Sequence, residues 1–144
     1  MTGDPGERTA ALKQAIAAHG ISLEYVDDLG GALGLSCGGR IRVLNGLSAA
    51  PEFAVLAHEF GHDLLHRSGD RPESRDTREL EAEAIAFVVG EAIGLEAAEA
   101  ARDYIQLYRG DATALAASLD RIQRAASLIL QSLRTGDATT SVAA

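Results

Sequence analysis

One segment constrains the fold most strongly, because from about residue 49 to residue 67 its apolar residues follow helical spacing. Pro51 stands near the first turn of this segment, where the missing backbone N–H costs nothing. His58 and His62 are four residues apart and therefore share one face of the predicted helix. The sequence thus predicts a long helix that is apolar where it meets the core and presents two imidazoles side by side.

The rest of the chain predicts short strands before this helix and further helices after it. Helices are expected at about 9–19, 77–93, 96–108 and 112–134, a strand at 21–26, and a hairpin formed by 32–36 and 40–44. Residues 1–7 and 136–144 are predicted to be flexible tails, which leaves one domain over residues 8–135. The predicted fold class is α+β, with an N-terminal helix and a short antiparallel sheet followed by a helical C-terminal half.

Composition narrows the classes of partner and compartment. The formal net charge of −8 argues against binding duplex DNA, which needs Lys and Arg to displace counterions. Cys37 is the single cysteine, so an internal disulfide and a cysteine-based zinc finger are both excluded. No secretory signal or apolar run of membrane-spanning length is visible, and a cytoplasmic protein is expected. The oligomeric state stays open.

Residues 58–62 have the sequence HEFGH, which is typical of a zinc site carried by a helix. The imidazoles of His58 and His62 lie one turn apart and can bind one Zn²⁺ at about 2.0–2.1 Å. Glu59 flanks the same face, so its carboxylate can hold a zinc-bound water and take its proton. A zinc hydrolase with Glu59 as general base is therefore predicted. A structural histidine pair without metal is the competing interpretation.

A third protein ligand is expected, because catalytic zinc sites usually combine three protein ligands with one open position. No histidine follows His66, which makes a carboxylate the expected donor. Glu79 and Glu83 share a face of the next predicted helix, so one is expected to bind zinc and the other to hydrogen-bond a ligand histidine. Glu81 points about 200° away from Glu79, and a solvated position is expected for it.

Other polar residues near these elements receive less specific interpretations. His66 is expected at the helix end, where a cation suits the helix dipole. Cys37 is expected to be an idle thiol in the hairpin turn. Tyr104, Tyr108 and Arg109 are candidate donors to a developing oxyanion, although such a stretch is more often packing.

Two stretches of the chain resemble a known family. Residues 58–66 (HEFGHDLLH) resemble the start of the site in the ImmA/IrrE family of metallopeptidases, and residues 79–86 (ELEAEAIA) resemble its second element, which begins with a ligand Glu. The part from Glu79 onward is also similar to the catalytic domain of ArdC-type antirestriction proteins. The sequence differs from the family at Glu83, where Asn or Asp is usual, and at Ile85, where Phe is usual.

The resemblance implies a small zincin-like metallopeptidase domain. It implies His58, His62 and Glu79 as zinc ligands, Glu59 as the general base, and Glu83 as a residue that orients a ligand. The departures from the family pattern leave the choice between Glu79 and Glu83 open. The expected partner is a protein substrate, such as a DNA-binding repressor of a mobile element or stress response. The alternative is a zinc-containing regulatory or antirestriction protein that binds its partner without cleaving it.

Overall fold

A computed structural model describes residues 2–66, 74–96 and 112–143. Within these ranges the elements are α1 (Arg8–Ala18), β1 (Ser22–Val26), β2 (Gly34–Ser36), β3 (Arg40–Leu44), α2 (Ala49–His66), α3 (Arg75–Ala92) and α4 (Ala112–Ala143). This is a small α+β fold in which the strands precede the helical part, as predicted. The predicted helix at 96–108 lies, apart from Glu96, outside the described residues.

The three described strands form one sheet in the order β1-β3-β2. β2 and β3 form the predicted antiparallel hairpin, but β1 pairs with β3 in parallel, with Leu23 opposite Ile41. The prediction of an antiparallel sheet is therefore wrong for this pair. The tight turn joins β2 to β3, and β1 pairs along the other side of β3. The segment after Val26, which includes β2, serves as the crossover that a parallel pair requires.

The core lies between the sheet, α1 and the three later helices. Ile41 and Val43 of β3 are fully buried, because alternation along a strand sends both side chains to the same face. Phe53 and Phe60 of α2 are the largest apolar side chains that are fully buried. α2 packs against α1, α3 and α4 and against β2 and β3, so the predicted histidine helix stands at the centre of the molecule.

Secondary structure extends into both segments that are predicted to be flexible tails, and their flexibility stays a prediction. Thr2 and Glu96 form an antiparallel bridge, with a backbone hydrogen bond of 2.8 Å from the Thr2 N–H and one of 2.9 Å from the Glu96 N–H. α4 continues to Ala143, past the end predicted near Arg134. Propagation of a helix adds one hydrogen bond for each residue fixed, so the polar composition after Gly136 does not by itself end it. The domain limits 8–135 stay a prediction.

Within the described ranges, no helix is both long and apolar enough to cross a bilayer.

Candidate metal centre

α2 positions the two predicted histidine ligands. His58 and His62 lie one turn apart, with ring centroids separated by 4.9 Å. Gly61, on the neighbouring face, allows α3 to approach closely, because a Cβ there would lie 3.0 Å from Ile85 Cδ1. The side chains of His58 and His62 are 22% and 15% exposed, so the imidazoles remain reachable from solvent while their helix is anchored in the core.

α3 brings Glu79 to these histidines. The helix begins after Ser74, whose hydroxyl accepts a hydrogen bond from the Thr77 N–H and caps the first turn. The two carboxylate oxygens of Glu79 lie 3.0 Å from His58 Nε2 and 3.2 Å from His62 Nε2. Adjacent ligand atoms around a tetrahedral zinc are separated by about 3.3 Å, given zinc–ligand distances near 2.05 Å. The distances from Glu79 to each histidine therefore fit those between adjacent ligands of a zinc ion.

Glu59 supplies a second carboxylate beside the histidines. Ligand atoms of His58, Glu59 and His62 all lie within 4.8 Å of one another. Glu59 is buried below β2, where Gly34 is required because a Cβ would lie 2.4 Å from Val55 Cγ1 and 3.0 Å from Glu59 Oε2. Burial, with a smaller effect of the Glu79 charge, raises the pKa of Glu59 to about 7. The site thus contains one enclosed carboxylate and one that faces solvent.

The pKa values of His62 and Glu79 are shifted downward, in the direction opposite to that of Glu59. Burial lowers the pKa of His62, and the neighbouring His58 lowers it further. Burial raises the pKa of Glu79, but His62 and His58 together outweigh this effect, so the pKa lies below its usual value. Neutral imidazoles and an ionised carboxylate are the protonation states that bind a divalent cation.

The structure separates the three glutamates of α3. Glu79 contacts both histidines, whereas Glu83 is exposed and, among the described residues, forms no hydrogen bond or ion pair with them. Glu81 is fully buried, so the prediction of a solvated position is wrong. It faces the interior because α4 packs on that side of α3 and supplies polar partners there.

His66 is the last residue of α2, as expected, but its side chain is buried and has polar partners on both ring nitrogens. Its side chain is 4% exposed, its Nδ1 lies 2.8 Å from His62 Nδ1, and its Nε2 lies 2.8 Å from Glu81 Oε1. The other oxygen of Glu81 accepts hydrogen bonds from the Ser118 hydroxyl and from Arg121, whose Nη2 lies at 2.6 Å and Nε at 3.2 Å. A buried polar chain, formed by hydrogen bonds through His66 and Glu81, thus runs from His62 to α4.

Sequence reasoning missed Glu81, Ser118 and Arg121. The sequence carries one weak signal for them, which is that Ser118 and Arg121 are three residues apart and share a face of α4. The candidate oxyanion donors Tyr104, Tyr108 and Arg109 lie outside the described residues. Cys37 is exposed in the β2–β3 turn.

Comparison with known proteins decides the family. The model of the IrrE N-terminal-like domain, peptidase family M78, matches residues 14–124. This span includes α2, α3 and the start of α4, and with them His58, His62 and Glu79. The chain belongs to this family. The IrrE-like domain is thereby assigned to a family of metallopeptidases, which implies a protein substrate. The match does not extend to the predicted likeness to ArdC-type proteins.

Two further comparisons gave no match for this IrrE-like domain. No curated protein matches the chain. No solved structure matches it.

Proposed function

We propose that this IrrE-like domain is a zinc-dependent metallopeptidase that hydrolyses a peptide bond in a protein substrate. The observation that carries the proposal is the convergence of His58 Nε2, His62 Nε2 and both oxygens of Glu79, at 3.0 and 3.2 Å, beside the buried Glu59. His58, His62 and Glu79 would hold the metal, and Glu83 has no part in holding it. Family membership supports the same chemistry.

The reaction assigns a separate task to each side chain. When bound, zinc supplies Lewis-acid polarisation of the scissile carbonyl and lowers the pKa of water. Glu59 accepts the proton of the attacking water on its carboxylate and then donates it to the leaving amine nitrogen. Burial under Gly34 keeps bulk water away from this carboxylate.

A substrate strand is proposed to bind along β2, which forms one edge of the described sheet. β3 is the central strand, and its two sides are already paired. The Leu44 N–H donates to the Leu33 carbonyl, and the Cys37 N–H donates to the Arg40 carbonyl. These hydrogen bonds show that the odd-numbered residues in and beside β2 direct their backbone groups toward β3. By alternation, the backbone groups of Gly34 and Ser36 point outward.

This edge has a composition that suits an extended apolar peptide. Leu33 and Leu35 are 48% and 43% exposed, so this edge presents two apolar side chains to solvent. Gly34 stands between them, and a Cβ there would lie 3.0 Å from Oε2 of the proposed catalytic residue Glu59. A substrate hydrogen-bonded to Gly34 would therefore run past Glu59. A DNA-binding repressor is the first substrate class to test.

The decisive experiment separates metal binding from catalysis. Elemental analysis of protein purified without added metal should give about one zinc per chain in the wild type and in Glu59→Gln, and none in His58→Ala. Cleavage of candidate repressors from neighbouring genes should occur with the wild type and stop with Glu59→Gln. Cleavage by Glu59→Gln at the wild-type rate would refute the proposed mechanism. Zinc-free wild-type protein would refute the proposed metal site.

A further inference from the structure

A buried polar chain connects the proposed metal ligand His62 to a helix that contributes no ligand. His62 and His66 of α2 are joined through their Nδ1 atoms at 2.8 Å, and His66 Nε2 lies 2.8 Å from Glu81 of α3. Ser118 and Arg121 of α4 complete the chain at the other carboxylate oxygen. Glu81 is fully buried and His66 is almost so, and the proposed mechanism uses neither of them.

The donor and acceptor roles along this hydrogen-bond chain follow from its end at α4. Ser118 and Arg121 can only donate toward Glu81 in this arrangement, and an ionised carboxylate can only accept. Ser118 and Arg121 both bond to one carboxylate oxygen, Oε2, where the guanidinium forms an ion pair at 2.6 Å, and this leaves Oε1 to accept from His66. His66 must therefore carry its hydrogen on Nε2 to bond to Glu81.

A neutral imidazole has one donor nitrogen and one acceptor nitrogen. With the hydrogen of His66 on Nε2, its Nδ1 is the acceptor, and the group facing it at 2.8 Å must be an Nδ1–H of His62. The lone pair of a neutral His62 is then on Nε2, the atom that faces Glu79. The hydrogen-bond chain selects the tautomer of His62 that can bind the metal.

We propose that Glu81 and His66 are positioning residues that fix His62 in its Nδ1–H form and so prepare Nε2 for the metal. The inference rests on the proposed zinc site, but the hydrogen-bond chain itself is a property of the protein alone. Residues that orient a ligand histidine usually change metal affinity by about 10–100-fold when they are replaced. α4 thereby influences the metal site without touching it.

The first test reads the tautomer of His66 in the metal-free protein. Long-range ¹H–¹⁵N correlation spectra, recorded at a pH where the histidines are neutral, should show His66 with its hydrogen on Nε2. In Glu81→Gln, Ser118 and Arg121 should bond to the side-chain oxygen of Gln, which turns the amide NH₂ toward His66. The hydrogen of His66 should then move to Nδ1. Glu91→Gln, an exposed position on the same helix, is the matched control and should keep the wild-type tautomer.

The second test measures zinc affinity with two substitutions of similar size at position 66. His66→Asn keeps an acceptor where Nδ1 stands, whereas His66→Leu removes it. We expect zinc affinity to fall about 10–100-fold in His66→Leu and in Glu81→Gln, and His66→Asn to recover most of the loss. This recovery is the outcome that a purely structural role for His66 would not give.

Two results would overturn the inference. One is a wild-type His66 with its hydrogen on Nδ1. The other is equal zinc affinity in His66→Asn and His66→Leu when circular dichroism shows that both are folded. A wild-type protein that binds no zinc would instead overturn the proposed metal site. The spectra need no metal, so the His66 tautomer tests the hydrogen-bond chain whether or not the protein binds zinc.

Discussion

At the scale of single residues, the two carboxylates near the histidines differ in their surroundings. Glu59 is enclosed between α2 and Gly34, while the side chain of Glu79 is 49% exposed and faces both imidazoles. Environments that push two carboxyl pKa values apart are typical of sites in which one group binds charge and the other moves a proton. The pKa of Glu59 is raised and that of Glu79 is lowered, as this division of roles requires.

The choice between Glu79 and Glu83 as ligand gives a first prediction. Glu79→Ala should lower zinc affinity by more than the roughly 100-fold that loss of a ligand-orienting residue costs, because a direct donor is removed. Glu83→Ala should leave affinity within about threefold, since Glu83 is exposed and, among the described residues, forms no hydrogen bond or ion pair with either imidazole. Competition with a chromophoric zinc chelator measures both. The reverse ranking would make Glu83 the ligand.

The proposed site was readable from the sequence where its geometry is local. His58, Glu59 and His62 lie on one helix, and helical spacing alone predicts their shared face. Glu79 required a second helix, and spacing left it equivalent to Glu83. The contact of Glu81 with Arg121 joins residues 40 positions apart, and no local pattern in either helix specifies the packing that brings them together.

At the scale of elements, the sheet depends on which strands become neighbours. Alternation predicted β1 and the β2–β3 hairpin, and glycines with positive φ at Gly38 and Gly39 allow the tight turn. The parallel pairing of β1 with β3 was not readable, because alternation specifies faces but not partners. That pairing leaves β2 at one edge of the described sheet, above Glu59.

The proposed binding of substrate along β2 gives a second prediction. Ser36→Pro removes an N–H that points away from β3, so the hairpin hydrogen bonds are kept. Loss of one intermolecular hydrogen bond of about 0.5–1.5 kcal/mol should raise KM by about 2–10-fold. Ser36→Ala keeps the N–H and should behave as the wild type. Steady-state kinetics on a cleaved peptide measure the effect, and equal KM values for the two variants would exclude this strand as the binding edge.

A polar cluster beside β1, at the edge of the described sheet opposite β2, links α1, β1 and α2. Tyr25 of β1 donates a hydrogen bond to Glu52 of α2, and Lys13 of α1 lies 3.5 Å from the same carboxylate and 4.8 Å from the tyrosine ring. Burial, and then the hydrogen bond to Glu52, raise the pKa of Tyr25 above its ordinary value of 10.0. The cluster connects the N-terminal helix and first strand to the histidine helix.

The raised pKa of Tyr25 gives a third prediction. Above pH 10 the unfolded chain loses the phenolic proton while the folded chain retains it, so the free energy of unfolding falls as pH rises toward the folded-state pKa. Below pH 10 this contribution is fully present. Urea unfolding of the wild type and Tyr25→Phe between pH 8 and about 11 measures it. The variant should show the smaller decline, and parallel curves would contradict the assignment.

At the scale of the whole molecule, the proposed zinc site connects helices that are distant in the chain. Its donors come from α2 and α3, and the buried chain through His66 and Glu81 extends to α4. β2 and β3 also pack against α2. Metal binding is therefore expected to stabilise the packing of three helices. The free energy of binding adds to that of folding whenever the unfolded chain binds zinc less well.

Zinc should accordingly raise the thermal stability of the whole domain. At a free zinc concentration about 100 times Kd, binding adds about 2.7 kcal/mol. For a chain of this size, that corresponds to a rise in Tm of roughly 5–10 °C over the chelator-treated protein. Differential scanning calorimetry of both forms measures the shift, with His58→Ala as the control that should melt at one temperature whether or not zinc is added. A wild-type Tm that zinc leaves unchanged would mean that the three donors do not form a metal site, because a ligand that binds the folded state must stabilise it.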